Sequence, residues 1–184
     1  GKVLSLEPGG VVVEIAGLSL SPAIQNLMTG GTSSPISLNG RGRVENGEWR
    51  NWKGVAQWMQ SEGRGWRGIE PKIDTTFVNG IFSARVKVQE AELTPDFPYV
   101  DALRIVIGEA KSLEHWKFQD GSGSVIIEKA GGEIKEAKMR GPTGRNLSFV
   151  GDWRRGGELY GVLNSAPKKW RVRGRDGKLV ISEL

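Results

Sequence analysis

Apolar residues alternate with polar ones over many short stretches of this chain, which is the period of a half-buried β-strand. The firmest example is FSARVKV at residues 82–88, where every second side chain is apolar and those between are Ser, Arg and Lys. Asn79-Gly80 lies just before it, a dipeptide typical of tight hairpin turns. The region Thr75–Val88 is therefore predicted to form a strand pair with a turn or bulge at Asn79-Gly80.

Similar stretches recur from one end of the chain to the other and are separated by glycine-rich or proline-containing turns. Glycine makes up 27 of the 184 residues, which suits many tight turns between short strands. The further predicted strands are Lys2–Leu6, Val11–Ile15, Asp101–Gly108, Val125–Lys129, Ile134–Met139, Asn146–Val150, Glu158–Asn164, Lys169–Val172 and Lys178–Ser182.

This spacing predicts an all-β fold, a two-sheet jelly-roll sandwich of about twelve strands, as one domain over residues 1–184. Two segments depart from the pattern. Residues 21–40 are rich in Ser, Gly, Pro and Thr and predict a long surface loop, and Glu109–Phe118 predicts one short helix. Alternation predicts that the core contains Val13, Ile15, Phe82, Val86, Leu103, Ile105, Ile107, Ile126, Phe149, Leu159, Val162, Val172 and Val180.

Composition removes several classes of function. The chain has no cysteine and one histidine, His115, which excludes disulfides, cysteine-ligated metals and sites that need two imidazoles from one chain. The apolar runs are of strand length, so no membrane span is predicted. The chain starts at Gly1-Lys2, which leaves a removed leader or anchor open, and we expect an extracellular or cell-surface location.

The sequence contains only weak candidates for catalytic or metal-binding residues. It favours a protein without enzymatic activity and leaves the question open, with glycoside hydrolysis as the activity that the residues fit best. Glu70 and Asp74 are the one candidate acid/base pair, and two exposed carboxylates beside a turn are the simpler interpretation. No cofactor is predicted. A calcium ion held by Asp96, Asp101 and Asp120 stays open, although turn chemistry alone explains aspartates in loops.

Four of the seven tryptophans fall within eighteen residues, in the segment WRNWKGVAQWMQSEGRGWRG at positions 49–68. Exposed indole rings stack on sugar rings, and neighbouring arginines donate hydrogen bonds to hydroxyl or acidic groups. We therefore predict non-catalytic carbohydrate binding. The predicted stacking and donor residues are Trp49, Trp52, Trp66, Arg50, Arg64 and Arg67. Since Trp49 and Trp52 are three apart, a regular strand would point them to opposite sides.

Two alternatives follow from the net charge of +5, which is unevenly placed: residues 138–184 hold 11 basic and 4 acidic side chains. A basic strand with an aromatic ring is suited to nucleic acid, and a basic face can also join a neighbouring subunit of a cell surface, pilus or virion. The nucleic-acid candidates are Lys168, Lys169, Trp170, Arg171, Arg173 and Arg175.

Two stretches carry a family resemblance. Thr75–Val88 (TTFVNGIFSARVKV) resembles a strand of the concanavalin A-like and laminin G-like jelly rolls, and Trp170–Arg173 with Asp176–Ile181 resembles the paired strands late in that fold. The resemblance implies a two-sheet jelly roll. The alternating acids of the family's glucanases are absent, so the resemblance favours its glycan-binding or structural members.

Overall fold

The structure is a computed structural model that describes residues 2–7, 10–21, 23, 25–26, 31–107, 116–154, 157–175 and 178–184. Within these residues it contains fifteen strands and the helix α1, Val100–Ile107, and residues 23, 25 and 26 are also helical. The strands are β1 Lys2–Glu7, β2 Gly10–Ser19, β3 Thr32–Ser33, β4 Ser37–Glu45, β5 Glu48–Gln57, β6 Gln60–Gly63, β7 Trp66–Ile69, β8 Lys72–Val78, β9 Ile81–Leu93, β10 Trp116–Glu128, β11 Gly131–Arg140, β12 Asn146–Arg154, β13 Glu158–Ser165, β14 Lys168–Arg175 and β15 Lys178–Glu183.

Twelve of these strands follow one another side by side as a single antiparallel meander, in the order β1-β2-β4-β5-β8-β9-β10-β11-β12-β13-β14-β15. The predicted all-β class is thereby confirmed. The two-sheet arrangement is not confirmed, because the described strands hydrogen-bond into one sheet. Most successive strands are joined by short hairpins, whereas the connections from β2 to β4, from β5 to β8 and from β9 to β10 are longer and contain β3, β6 with β7, and α1 respectively.

Asn-Gly dipeptides make two of these connections. Asn79 and Gly80 have φ values of 51° and 81°, and Asn46 and Gly47 have 52° and 79°. Both central residues of a type I′ turn need a positive φ, which asparagine and glycine tolerate best. The hairpin turn predicted at Asn79-Gly80 is therefore confirmed, since β8 and β9 pair directly across it.

A small flap of three strands lies beside the meander. β7 pairs with the last residues of β9, β6 pairs with β7, and β3 pairs with β6. β3 and the first residues of β4 both lie within residues 21–40, so the loop predicted there is shorter than expected.

The stretch DALRIVIG at residues 101–108 was predicted as a strand, and that prediction is wrong. Its described residues belong to α1, where Val100, Leu103 and Ile107 recur at helical spacing and contact the core. Ile105 falls on the outer side of the helix and is 52% exposed, so its assignment to the core is also wrong. The short apolar run is compatible with either element, and periodicity alone does not separate them.

The helix predicted over 109–118 is also wrong where it can be compared. Residues 108–115, including His115, lie outside the described residues, and Trp116 to Phe118 begin β10. These two side chains are 3% exposed and contact α1 through one apolar cluster. That cluster is the larger of two, and its buried members are Val106, Ile107, Trp116, Phe118, Leu147 and Trp170.

The second cluster packs Ile36, Ala56 and Trp58 against Leu20, Leu38 and Ile73. Of the predicted core, Ile107 and Val172 are buried, and most of the remaining residues are only half-buried. Val180 is 63% exposed because it lies on the edge strand β15 and faces away from both clusters, so its prediction is wrong.

Candidate functional site

The register of the meander places opposing residues in continuous rows that cross eleven strands, from β2 to β15. Directly opposed residues in antiparallel strands point to the same face of a sheet. Three such rows lie on one face, which we call the apolar face. The first row is Leu18, Leu38, Ala56, Ile73, Val86, Gly123, Ala137, Phe149, Leu163, Trp170 and Glu183.

The other two rows run parallel to the first. The second row is Ile15, Gly40, Gly54, Thr75, Ala84, Val125, Ile134, Gly151, Gly161, Val172 and Ile181. The third row is Val13, Gly42, Trp52, Phe77, Phe82, Ile127, Gly132, Trp153, Leu159, Gly174 and Leu179. In all three rows the one charged side chain is Glu183 at the edge, and Lys168 Nζ lies 2.9 Å from its carboxylate.

The opposite face is charged. The row between the second and third apolar rows is Glu14, Arg41, Lys53, Thr76, Ser83, Ile126, Glu133, Asp152, Tyr160, Arg173 and Val180. Six of these eleven residues are charged, against none in either of the two apolar rows beside it. The sheet is therefore amphipathic along its whole width.

Among the residues that the structure describes, those that cover the apolar face lie at one end of it. There α1 packs on the ends of β10 to β15, and Ile36 with Trp58 packs on the corresponding ends of β4, β5 and β8. Farther along the strands the large side chains of the third row, such as Phe82 and Trp153, are half-buried, and Ile127 is 39% exposed.

The uncovered strip is formed by the second and third rows, because much of the first row, including Ala56 and Trp170, is buried in the two clusters. Ten strand spacings of about 4.8 Å and two residues of about 3.3 Å give a strip roughly 48 Å by 7 Å. Its area, on the order of 300 Å², is that of the larger apolar patches on monomeric proteins, which are often interaction sites.

Two polar side chains of the second and third rows already hydrogen-bond within the protein. Trp52 Nε1 donates to Thr75 Oγ1 at 3.0 Å, and the same hydroxyl donates to the Gly54 carbonyl at 3.2 Å. The Trp52 ring lies against Gly40 and Gly54, where an added Cβ would overlap it. A ligand on this strip therefore meets hydrocarbon and ring surface rather than hydrogen-bonding groups.

Trp49 and Trp52 both point to the apolar face, so the prediction that they point to opposite sides is wrong. The register shifts between Arg43 and Val44, so that Trp52 opposes Gly42 while Trp49 opposes Val44. This β-bulge adds one residue to β5 and reverses the parity. The two rings meet edge to face, with centroids 5.5 Å apart, and Trp49 is 43% exposed. Arg50 pairs with Glu45 at 3.2 Å.

Trp66, Arg64 and Arg67 lie elsewhere, around a hollow of about 790 Å³ between the flap and β9. The half-buried Trp66 ring packs on Gly63, and Arg67 Nη2 donates to Gln60 Oε1 at 2.9 Å. Glu62 and Glu92 also line the hollow. The hollow thus combines one ring with charged groups of both signs.

The six predicted carbohydrate-binding residues are therefore not one site. Trp52 belongs to the row that crosses β9 at Phe82, whereas Trp66 opposes Leu93 of the same strand. Eleven residues of extended strand separate those rows by roughly 36 Å. Each group can act alone, but one small ligand cannot touch both.

The basic residues of β14 are divided between the two faces. Arg171, Arg173 and Arg175 alternate along one side, as predicted, and Lys169 shares it, while Lys168 and Trp170 point to the apolar face. Trp170 is 6% exposed, so its ring is not available to stack on a base. A hollow of about 560 Å³ on the charged face contains Arg171 and Arg173 together with Glu133 and Asp152, which weakens its attraction for phosphate.

The acidic candidates are also dispersed. Asp74 lies 3.7 Å from Lys72 Nζ, and Glu70 sits in the bend before β8, so the two carboxylates do not share a strand. Asp101 accepts from Arg104 at 2.9 Å and Asp120 from Arg140 at 2.7 Å. Across the described residues there is no group of three or more His, Asp or Glu side chains placed to hold a metal ion.

Comparisons of the chain with protein-family models, with curated proteins and with solved structures found no match. The resemblance to concanavalin A-like and laminin G-like domains therefore stays a prediction. Among the described helices, none has both the length and the apolar character needed to cross a membrane.

Proposed function

We propose that this protein binds the hydrocarbon chains of lipids along its apolar face. The observation that carries the proposal is the set of three unbroken rows, in which eleven strands present thirty-three positions and one charge. Burying apolar surface of this extent is the dominant favourable term in association.

A hydrocarbon ligand is favoured over a protein partner because the apolar face offers few hydrogen-bonding groups. Protein interfaces contain about one hydrogen bond per 100–200 Å². The strip offers few side-chain polar atoms, and the Thr75 hydroxyl is already occupied by Trp52 and the Gly54 carbonyl. An acyl chain needs no hydrogen bonds, and it can follow an elongated strip whose floor contains glycines.

The first test is a titration with fluorescent fatty acids that share one dansyl headgroup and differ in chain length. Trp52 and Trp153 in the third row would transfer excitation energy to a probe bound on the apolar face. Because burying one methylene contributes about 0.8 kcal/mol, each added methylene is expected to raise the affinity about fourfold.

Dansyl glycine, which has the headgroup and no chain, is the control and is expected to bind far more weakly. The titrations are run below the critical micelle concentration and at two salt concentrations. Affinity that is independent of chain length, or equal for dansyl glycine, would contradict the proposal.

A second candidate function is carbohydrate binding at the flap, and the hollow around Trp66 favours it. Its volume of about 790 Å³ lies in the range of small-molecule sites, and it combines a ring with Arg64 and Arg67. We expect Trp66→Ala to remove any glycan affinity found in a panel, and Trp49→Ala, which alters the other tryptophan group, to retain it. Equal glycan binding by the native protein and Trp66→Ala would exclude this site.

A further inference from the structure

The edge strand β15 has a regular outer edge. Within the described residues β15 pairs with β14 alone, and its other side faces no strand of the chain. Leu184 N donates to the Lys169 carbonyl at 2.9 Å, which makes these two residues a hydrogen-bonded pair. Hydrogen-bonded pairs alternate along an antiparallel ladder, so Ser182 and Val180 also direct their backbone groups towards β14.

The residues between them direct their backbone N–H and C=O groups outwards. These are Leu179, Ile181 and Glu183, and the register with β14 has no shift that would interrupt them. An unpaired row of this kind is a template for another strand unless it is protected by a bulge, a proline or a buried charge. The opposite edge of the meander differs, because the register of β1 shifts between Val3 and Ser5.

The side chains of β15 are apolar on both faces of the sheet. Leu179 and Ile181 end the third and second rows of the apolar face, and Val180 is 63% exposed on the charged face. Val180 has the cross-strand neighbour Arg173 on one side, and no strand of the described chain on the other. A strand added here would cover all three side chains.

We propose that β15 pairs antiparallel with β15 of a second copy of this chain, about a two-fold axis at Val180. In this register Leu179 of each copy forms a hydrogen-bonded pair with Ile181 of the other. Val180 opposes Val180 of the other copy. The axis is perpendicular to the sheet, so the two apolar faces lie on the same side and form one continuous face. The proposal is independent of which ligand that face binds.

The β15 strand of a second copy is favoured over a strand of another protein because its central side chains are uncharged. An incoming strand must place uncharged side chains beside Leu179 and Ile181 and remain compatible with Val180. The β15 strand of a second copy does both, and its charged residues Lys178 and Glu183 lie at the two ends of the strand. Pairing through one strand covers a small area, so we expect a concentration-dependent dimer.

The test uses Val180→Cys in the full chain, which is otherwise free of cysteine. Opposed residues in a non-hydrogen-bonded pair have Cα atoms about 4.5 Å apart, within the range that a disulfide spans. Mild oxidation is expected to produce a covalent dimer at least ~10-fold faster than in Val150→Cys, since only the first pair of thiols is held within reach. Val150 is a matched control because it is 42% exposed on the charged face of an interior strand, β12.

Sedimentation equilibrium provides the second measurement. Val180→Glu would face Arg173 within its own sheet but would oppose a second glutamate across the axis, so it is expected to sediment as a monomer. Val150→Glu is expected to keep the native dimerisation. A monomeric native chain at all concentrations, together with equal disulfide formation in the two cysteine variants, would overturn the proposal and leave the edge to a strand of a different protein.

Discussion

Trp170→Ala is expected to lower the free energy of unfolding by about 3–5 kcal/mol, the usual loss for a buried tryptophan. Trp170 is 6% exposed and belongs to the cluster that joins α1 to β10, β12 and β14. Its removal leaves a cavity in the apolar cluster that holds the helix against the sheet. Urea unfolding monitored by far-ultraviolet circular dichroism measures the change.

Two further variants test whether the packing of this ring, rather than hydrogen bonding by its Nε1, accounts for the loss of stability. Trp170 Nε1 is buried without a hydrogen-bond partner among the described residues, so Trp170→Phe loses ring volume but no hydrogen bond and should cost much less than alanine. Trp49→Ala, at a ring that is 43% exposed, should cost about 1 kcal/mol through its lost contact with Trp52. A loss for Trp170→Ala no larger than for Trp49→Ala would contradict the assignment of the core.

Many of the strands could be predicted from the sequence because their signals are local. The alternation at 82–88 and the Asn79-Gly80 turn each lie within a few residues, and the structure contains both β9 and its hairpin. The helix α1 could not, because a run of eight residues such as DALRIVIG fits a buried strand as well as a helix. What decides between them is the packing of the helix in one cluster with Leu147 and Trp170, which are distant in sequence.

The candidate site could not be predicted for a related reason. Each strand shows its own alternation, but whether Ile15 and Ile181 point to the same face depends on every register between them. A single β-bulge changes which residues of a strand point to a given face, as the bulge beside Val44 does for Trp49. The site was predicted at the tryptophan cluster because those residues are close together in sequence. Phe82, Ile127 and Trp153 are far apart in sequence and come together only through strand pairing.

The exposed fraction of the apolar side chains also could not be predicted from the alternation. A pattern of every second residue identifies the apolar side of a strand and predicts burial for it, as it did for Val13 and Phe82. In a sandwich a second sheet would cover that side. Here α1 and the Ile36–Trp58 cluster cover one end, so the same residues remain half-buried.

Phe82→Asp is expected to weaken the binding of a dansyl fatty acid at least ~10-fold, because an acyl chain would bury an unpaired carboxylate. Phe82 lies on a strand near the middle of the apolar face and directly opposes Ile127. Since Phe82 is only half-buried, the new carboxylate can reach water in the absence of ligand, and thermal unfolding checks that the fold is kept. Ile127→Lys, at a side chain that is 39% exposed, makes the same test with the opposite charge.

The controls are the next residues on the same two strands. Ser83 and Ile126 oppose each other on the charged face, so Ser83→Asp and Ile126→Lys introduce equal charges without touching the apolar strip. If lipid binds on the apolar face, Phe82→Asp and Ile127→Lys lower the affinity for the probe or the number of probes bound per chain. Ser83→Asp and Ile126→Lys leave both quantities unchanged. If all four variants bind as the native protein does, the lipid is not on this face. If both pairs lose binding equally, the charges act through the overall field of the protein and the apolar rows have no special role.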